Sequence, residues 1–368
     1  RLGGDDVVVL GHVDWHADAG GGRIQRWMDW SATQFDFDYI DPDADAGFGR
    51  FFSCNVSMTR ALYRAAGGFD PAFVYYYEDL DFGWRLHEAG MRLRYEPSAR
   101  THHLHRYDWD VLQRRFDGIV IGERMMAAKH EWFEPYFERR MVGELRRPKA
   151  SAAWPVVADL VPDRAMSVPG VRRAARYARR RGNAWYYQRL APRFLWQWQG
   201  QQGLEELQAY LGDDYDERLL HTHQARVEAE EEAAEDEATF YRTSSAYLYD
   251  LTAFGLWDTK LPYFEDIRAI LRPRSRVLDY GCGIGTDGLR LIDAGHHVGF
   301  ADFDNPSTAF LRWRLEQRGL APPVAEVYDL DDHVPGGFDL AFSRMVLRPF
   351  GFARNCNVFA ACTVSLSS

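Results

Sequence analysis

The sequence predicts an α/β protein in two parts separated by a helical connector, and three observations carry that expectation. From 1 to 136, short runs of β-forming residues alternate with turn residues and one clear helix, and aromatic residues concentrate there. From 137 to 238, glycine and β-branched residues thin out while Arg, Ala, Glu, Gln and Leu recur at helical spacing. From 239 to 368 a Tyr-rich helical stretch leads into strand, glycine loop, helix and strand, the order of a βαβ unit.

Bulk properties agree with more than one core. A chain of 368 residues exceeds the size at which single cores stop growing. Hydrophobic residues at 46% and aromatics at 15% supply enough apolar surface to exclude a disordered chain. No apolar run approaches the roughly 18 to 20 residues of a membrane helix, and no signal-peptide pattern opens the chain, so a cytoplasmic protein without a transmembrane segment is expected. Cys54, Cys282, Cys356 and Cys362 lack Cys-x-x-Cys spacing, which argues against a zinc site or a disulfide framework. The net charge of -10 argues against nucleic acid as a partner. The chain opens at Arg1, without methionine, just before the strand-like run Val7 to Leu10, and is expected to be an interior piece of a longer protein.

Most chemistry-bearing residues of the first part lie between Asn55 and His105. A helix is expected from Thr59 to Ala66, stopped by Gly67-Gly68. Glu78, Asp79 and Asp81 start a second helix, where carboxylates meet the positive end of the dipole and can cap free N–H groups. The aromatic-dominated positions Val74 to Tyr77 before them are expected to desolvate the cluster and raise at least one proton affinity, a setting that suits a general base. After Gly90, a short strand from Leu93 to Tyr95 is expected to be broken by Pro97, and His102, His103 and His105 then crowd together as possible metal ligands.

The blocks NVSMTR, GGFDPAF, YEDLDFGWRLHEAGMRLRYEP and HHLH resemble the C-terminal, acceptor-side half of family-2 glycosyltransferases of the GT-A fold, over roughly residues 1 to 125. That resemblance implies transfer of a sugar from a nucleotide-sugar donor with inversion. It makes Asp79 the base that deprotonates the acceptor hydroxyl and puts Glu78 in the acceptor pocket. It also implies a divalent cation, Mg or Mn, on the donor diphosphate, with His103 and then His105 as its ligands. The family's nucleotide-binding half and Asp-x-Asp are expected before Val7; the Asp36/Asp38 and Asp41/Asp43 pairs fall in an expected loop.

In the last part, Ser275 to Tyr280 reads as an apolar strand running into Gly281-Cys282-Gly283-Ile284-Gly285 and a helix from Thr286 to Ala294. Glycines allow a sharp turn and close approach of a ligand, and the helix start supplies free N–H groups, so a nucleotide-like cofactor is implied. The dinucleotide fingerprint asks for a sixth-position glycine, which here is Thr286. VLDYGCGIGTDGLRL and VGFADFD resemble motif I and the second strand of class I S-adenosylmethionine-dependent methyltransferases. The resemblance puts Asp279, Gly281, Gly283 and Gly285 around the methionine part of S-adenosylmethionine, Asp302 on the ribose hydroxyls, and Asp329 with Leu330 at the adenine. Phe338 to Ser343 fits a fourth strand, and the sequence from Arg344 departs from the family in the manner of a frame change or a fragment end.

The expected fold is therefore α/β: a partial GT-A domain over 1–136, a helical connector over 137–238, and a partial Rossmann-like class I methyltransferase domain over 239–368. The expected function is bifunctional carbohydrate modification on a glycan, lipid-linked or small-molecule acceptor. A non-catalytic binding or scaffold remnant stays open as an alternative. So does a methyltransferase with an inactive glycosyltransferase-like recognition domain. The basic run Arg172 to Arg181 reads as a solvated helix face or a peripheral membrane contact, and the acidic run Glu228 to Glu237 as a solvated helix.

Overall fold

A computed structural model of the chain describes residues 4, 6–19, 21–74 and 76–343. The departure after Ser343 lies outside the described residues. The chain divides into two compact units, Arg1–Leu195 and Trp196–Ser368, and both are mixtures of helix and strand.

The first unit holds a three-stranded sheet of β1 (Val7–Trp15), β2 (Val56–Ser57) and β3 (Arg92–His103), in the order β2-β1-β3. β1 runs antiparallel to β2 and parallel to β3. Val8 and Leu10 of β1 are fully buried and share a core with Phe51, Phe82, Leu86 and Leu93. The first helix after β2 spans Arg60–Ala65; Thr59 caps it by accepting the Leu62 N–H at 3.2 Å, and Gly67 and Gly68 leave it at φ 79° and 71°. The helix Glu78–Glu88 follows and ends before Gly90 at φ 89°.

Pro97 does not end the third strand, as the sequence led us to expect; β3 runs for 12 residues through it. The register explains how. Gly11 pairs with Glu96 but His12 pairs with Arg100, so Pro97 to Ala99 bulge out of the ladder where a missing N–H costs nothing. The Asn55 side chain fastens the bulge, donating to Ala99 O at 2.9 Å and to His12 O at 3.0 Å. Gly11 leaves room for that amide, since a Cβ there would lie 2.2 Å from Asn55 Nδ2.

The second unit carries a fully parallel sheet of β4 (Arg276–Tyr280), β5 (His297–Asp302), β6 (Ala325–Asp329) and β7 (Leu340–Ser343), in the order β6-β5-β4-β7. Helices Thr286–Asp293 and Pro306–Gln317 connect the first three strands. The chain steps outward from β4 to β6 and returns to the other side of β4 with β7, so the strand order reverses beside the C-terminal end of β4, where parallel sheets open a ligand crevice. Val277, Phe300, Leu291 and Leu311 are fully buried at its centre. The acidic run is not wholly solvated: Glu230 accepts the Ser244 hydroxyl at 2.6 Å and the Ala246 N–H at 3.2 Å, anchoring the start of the Ala246–Leu256 helix.

Replacing Gly11 by Ala is expected to lower the unfolding free energy by about 1–3 kcal/mol through overpacking. Gly49→Ala, where an added Cβ meets nothing within 4 Å, is expected to stay within about 0.5 kcal/mol. Urea denaturation of the two variants checks the bulge directly, and equal effects would contradict it.

Candidate functional site

The acidic cluster of the first unit sits behind a strained turn. Tyr76 and Tyr77 have φ of 61° and 68°, a left-handed conformation that bulky side chains rarely adopt and that persists only where neighbours hold it. The holder is Glu123 of the Trp109–Lys129 helix, itself fully buried. Its Oε1 accepts from the Tyr77 hydroxyl at 2.8 Å and from Phe137 N at 2.7 Å, and its Oε2 from Glu138 N at 3.1 Å. Burial pushes the Glu123 carboxyl and the Tyr77 phenol up, so the pair is held as a hydrogen bond. Gly122 makes the approach possible: a Cβ there would meet Tyr77 Cδ2 at 2.7 Å and Tyr76 O at 2.9 Å.

The turn delivers Glu78 and Asp79 as the first residues of their helix. Asp79 Oδ2 accepts the Ser53 N–H at 3.1 Å, while its Oδ1 is buried without a partner, as is Glu78 Oε2. Burial pushes Asp79 up to about 6, the hydrogen bonds from Ser53 pull against that, and the Glu78 charge adds to it. Val74, expected to help desolvate the cluster, is 74% exposed and does not.

Asp81 has a different task from the one its position in the sequence invited. It is fully buried and is met by Arg85 at 2.8 Å, Lys129 at 2.7 Å and His130 at 2.9 Å. Its own burial pushes its proton affinity up, but these three partners outweigh it and hold the carboxyl below the ordinary range. Arg85 also donates to Ala66 O and Gly68 O, and Lys129 to Asp70, so the carboxylate ties the glycine turn to two helices.

His103 ends β3 and faces inward against Trp15 and Phe35, at ring distances of 5.8 and 5.7 Å. Its Nδ1 is buried without a partner, and burial lowers its proton affinity, so the imidazole is neutral near pH 7. His105 is exposed and lies against Tyr107 at 4.6 Å. Among the described residues no group of three or more His, Cys, Asp or Glu is assembled that could hold a metal ion. His103 offers a free nitrogen, but the described residues do not complete a cation site around it and His105. The sequence also passed over Arg115, whose guanidinium lies 5.0 Å from the Tyr76 ring, donates to the Tyr107 hydroxyl at 3.1 Å, and lowers the proton affinity of His103.

In the second unit the loop after β4 turns on three glycines in the left-handed region, Gly281 at φ 71°, Gly283 at 53° and Gly285 at 72°. Asp279 is buried and accepts the Gly288 N–H at 3.0 Å, which fastens the strand to the helix start. Asp302, at the end of β5, accepts the Gly283 N–H at 2.6 Å on Oδ2 and its neighbour Phe303 N at 2.8 Å on Oδ1. Burial pushes the Asp302 carboxyl up against those two bonds.

A cleft opens at this loop, lined by Asp279, Gly281, Cys282, Gly283, Asp302 and Leu330 and walled by Tyr241, Tyr247, Phe254 and Phe303. Asn305 fixes part of that wall: its carbonyl caps the following helix at Thr308 N, and its amide donates to Tyr241 O at 3.0 Å. Gly285 lies behind the lining, where an added Cβ would be 2.4 Å from Leu311 Cδ1. Asp329 accepts from Asp331 N at 3.0 Å in its own turn, and it is the adjacent Leu330 that lines the cleft. The aromatic wall comes from helices far upstream of the glycine motif, whose only sequence signal was their richness in Tyr.

No known protein-family profile matches the chain. Over 81 residues the chain is 48% identical to the pre-mycofactocin glycosyltransferase of Mycobacterium tuberculosis, in strain CDC 1551 / Oshkosh and in strain ATCC 25618 / H37Rv alike. The match covers 21% of this chain and spans 16% of the length of those relatives. The apo crystal structure of the S-adenosylmethionine-dependent methyltransferase SibL aligns with 64% of this chain and 68% of its own, at 14% identity and a TM-score of 0.24.

The two aspartates of the first unit predict opposite effects. Asp81 has a depressed folded value, so its contribution to stability is present above the unfolded carboxylate range and is lost as pH falls through the folded value. Asp81→Asn is expected to cost about 3–5 kcal/mol near neutral pH, since Arg85 and Lys129 lose a buried carboxylate partner. Asp79 is raised from 3.8 to about 6, so its ionisation opposes folding as pH climbs through that window. Asp79→Asn is expected to raise stability near neutral pH by on the order of 1 kcal/mol, a gain that vanishes below about pH 4. Thermal melts of both variants at two pH values check the signs; destabilisation by Asp79→Asn at neutral pH would make that carboxylate structural.

Proposed function

We propose that the chain carries parts of two transferases: a sugar transferase of family-2, GT-A type in the first unit and an S-adenosylmethionine-dependent methyltransferase in the second. The observation that carries the sugar-transfer reading is Asp79, a desolvated carboxylate with one unpartnered oxygen, poised near the pH at which it must work. The glycosyltransferase relatives, 48% identical over 81 residues, support it.

In this reading an acceptor hydroxyl gives its proton to the Asp79 carboxylate as its oxygen bonds to the anomeric carbon of a nucleotide-activated sugar. The bond from that carbon to the diphosphate breaks, and the nucleoside diphosphate leaves on the opposite face with inversion. Glu78 lines the acceptor pocket, and Arg115 supplies positive charge at Tyr76 and His103. The acceptor-side chemistry follows from these groups alone, and the divalent cation stays with the resemblance that implied it.

The cleft of the second unit fits S-adenosylmethionine, which supplies a methyl group already activated on sulfur. Gly281 and Gly283 bare the loop backbone for its methionine part, and Gly285 lets the loop close against Leu311 behind them. Each Asp302 oxygen keeps a second lone pair for a ribose hydroxyl beyond the bond it already accepts. Asp279 holds the loop to its helix, Leu330 with Asp329 flanks the adenine end, and Tyr241, Tyr247 and Phe303 exclude water. Methyl transfer then asks the chain for alignment more than for covalent chemistry. The segments 1–136 and 239–368 are the proposed sugar-transfer and methyl-transfer domains, with 137–238 as their connector.

Two measurements test the halves separately. In the full-length protein, kcat/KM for sugar transfer is expected to rise through an apparent pKa of about 6, and Asp79→Asn is expected to lower kcat by about 10²–10⁴-fold. A flat profile, or an active Asn variant, contradicts the base. Calorimetry is expected to detect S-adenosylhomocysteine binding by the chain, weakened about tenfold or more in Asp302→Ala; no heat from the unaltered chain contradicts the cofactor site.

A further inference from the structure

In the first unit, aliphatic side chains stand exposed beside a run of charge of one sign. Leu160 is 77% exposed, Val168 47%, Val171 46% and Val157 42%. From Arg164 to Arg181 no acidic residue occurs, although the chain as a whole carries a net charge of -10. On the Pro169–Leu211 helix, Arg172, Arg176 and Arg180 form an exposed i, i+4, i+8 stripe with Arg173 at its flank.

The segment that carries Val157 and Leu160 is fastened to the turns that carry the arginines. The short helix Ala153–Asp159 packs on the long helix so closely that a Cβ on Gly182 would lie 2.7 Å from Ala158 Cβ. Pro155 and Ala158 face that contact, which leaves Val157 and Leu160 turned outward. Trp154 meets Tyr177 at a ring distance of 5.3 Å, and Arg179 donates to Val161 O at 3.1 Å, fastening the connecting segment to the arginine-bearing turns. Ala175 and Ala178 are buried, and Val171 continues their face into the first turn, where it emerges into solvent.

We propose that this patch docks the protein on an anionic membrane surface, with Leu160, Val168 and Val171 entering the headgroup boundary and the arginine stripe pairing with lipid phosphates. A phosphate-rich polymer would account for the arginines but not for branched aliphatic side chains held in water among them, whereas a charged bilayer satisfies both. Among the described residues no helix is long and apolar enough to cross a membrane, so the contact lies at the interface. The proposal does not depend on either transferase assignment.

Vesicle sedimentation of the full chain tests it. The protein is expected to pellet with vesicles of phosphatidylcholine and phosphatidylglycerol mixed at about 7:3, to stay in solution with phosphatidylcholine alone, and to be released by about 0.5 M NaCl. Combining Arg172→Gln, Arg173→Gln, Arg176→Gln and Arg180→Gln is expected to lower partitioning on the order of a hundredfold. Leu160→Ser with Val168→Ser is expected to lower it about tenfold, both variants keeping the parent thermal midpoint. Equal binding to neutral vesicles, undiminished binding by the arginine variant, or capture by heparin beads without any vesicle binding overturns the proposal.

Discussion

A tyrosine at φ 68° must be held there, and in the first unit what holds it is a buried carboxylate on a neighbouring helix. The Tyr77–Glu123 hydrogen bond, with the two backbone N–H groups that complete the Glu123 shell, keeps the chain in a conformation that costs on the order of 1–3 kcal/mol per residue. The bare flank of Gly122 lets the two elements approach, and the strained turn sets where Glu78 and Asp79 begin their helix. Burial there leaves one Asp79 oxygen without a partner. A carboxylate so placed is destabilised when ionised, which makes it a better proton acceptor than an exposed one.

The adjacent carboxylates of that helix show how partners, not residue type, decide the role. Asp79 and Asp81 are two residues apart. Asp81 meets Arg85, Lys129 and His130 and serves as a clamp between the glycine turn and two helices, while Asp79 accepts from Ser53 and keeps one oxygen buried without a partner. The second unit solves a related problem with Asp302, whose two oxygens hold the glycine loop and still retain capacity toward a ligand. There the backbone freedom of three glycines shapes the loop at the mouth of a cleft.

What was legible in the sequence was local. Gly67-Gly68 announced a helix stop, the Glu78–Asp79–Asp81 run announced a helix start, and Gly281, Gly283 and Gly285 after an apolar strand announced a glycine turn into a helix, because each signal depends on neighbours a few residues away. What was not legible depends on long-range partners. Pro97 breaks a strand in isolation, but Asn55 and Gly11 accommodate it in a bulge. Nothing near Asp81 revealed Lys129 and His130, and nothing near Tyr77 revealed Glu123. A glycine inside the Trp109–Lys129 helix was the one available hint that another backbone comes close at Gly122. The two imidazoles that the sequence grouped as ligands face different environments, since alternation along the end of β3 turns His103 inward and the chain beyond it leaves His105 exposed.

The central claim is the ionisation of one side chain, and it can be observed without assuming any reaction. Carbon-13 labelling of the aspartate carboxyls, with the Asp79 resonance assigned by its loss in Asp79→Asn, allows its titration to be followed by nuclear magnetic resonance. A midpoint near 6 is the predicted result; a midpoint near the ordinary 3.8 would mean that water reaches the group freely and that the strained turn serves some purpose other than raising its basicity.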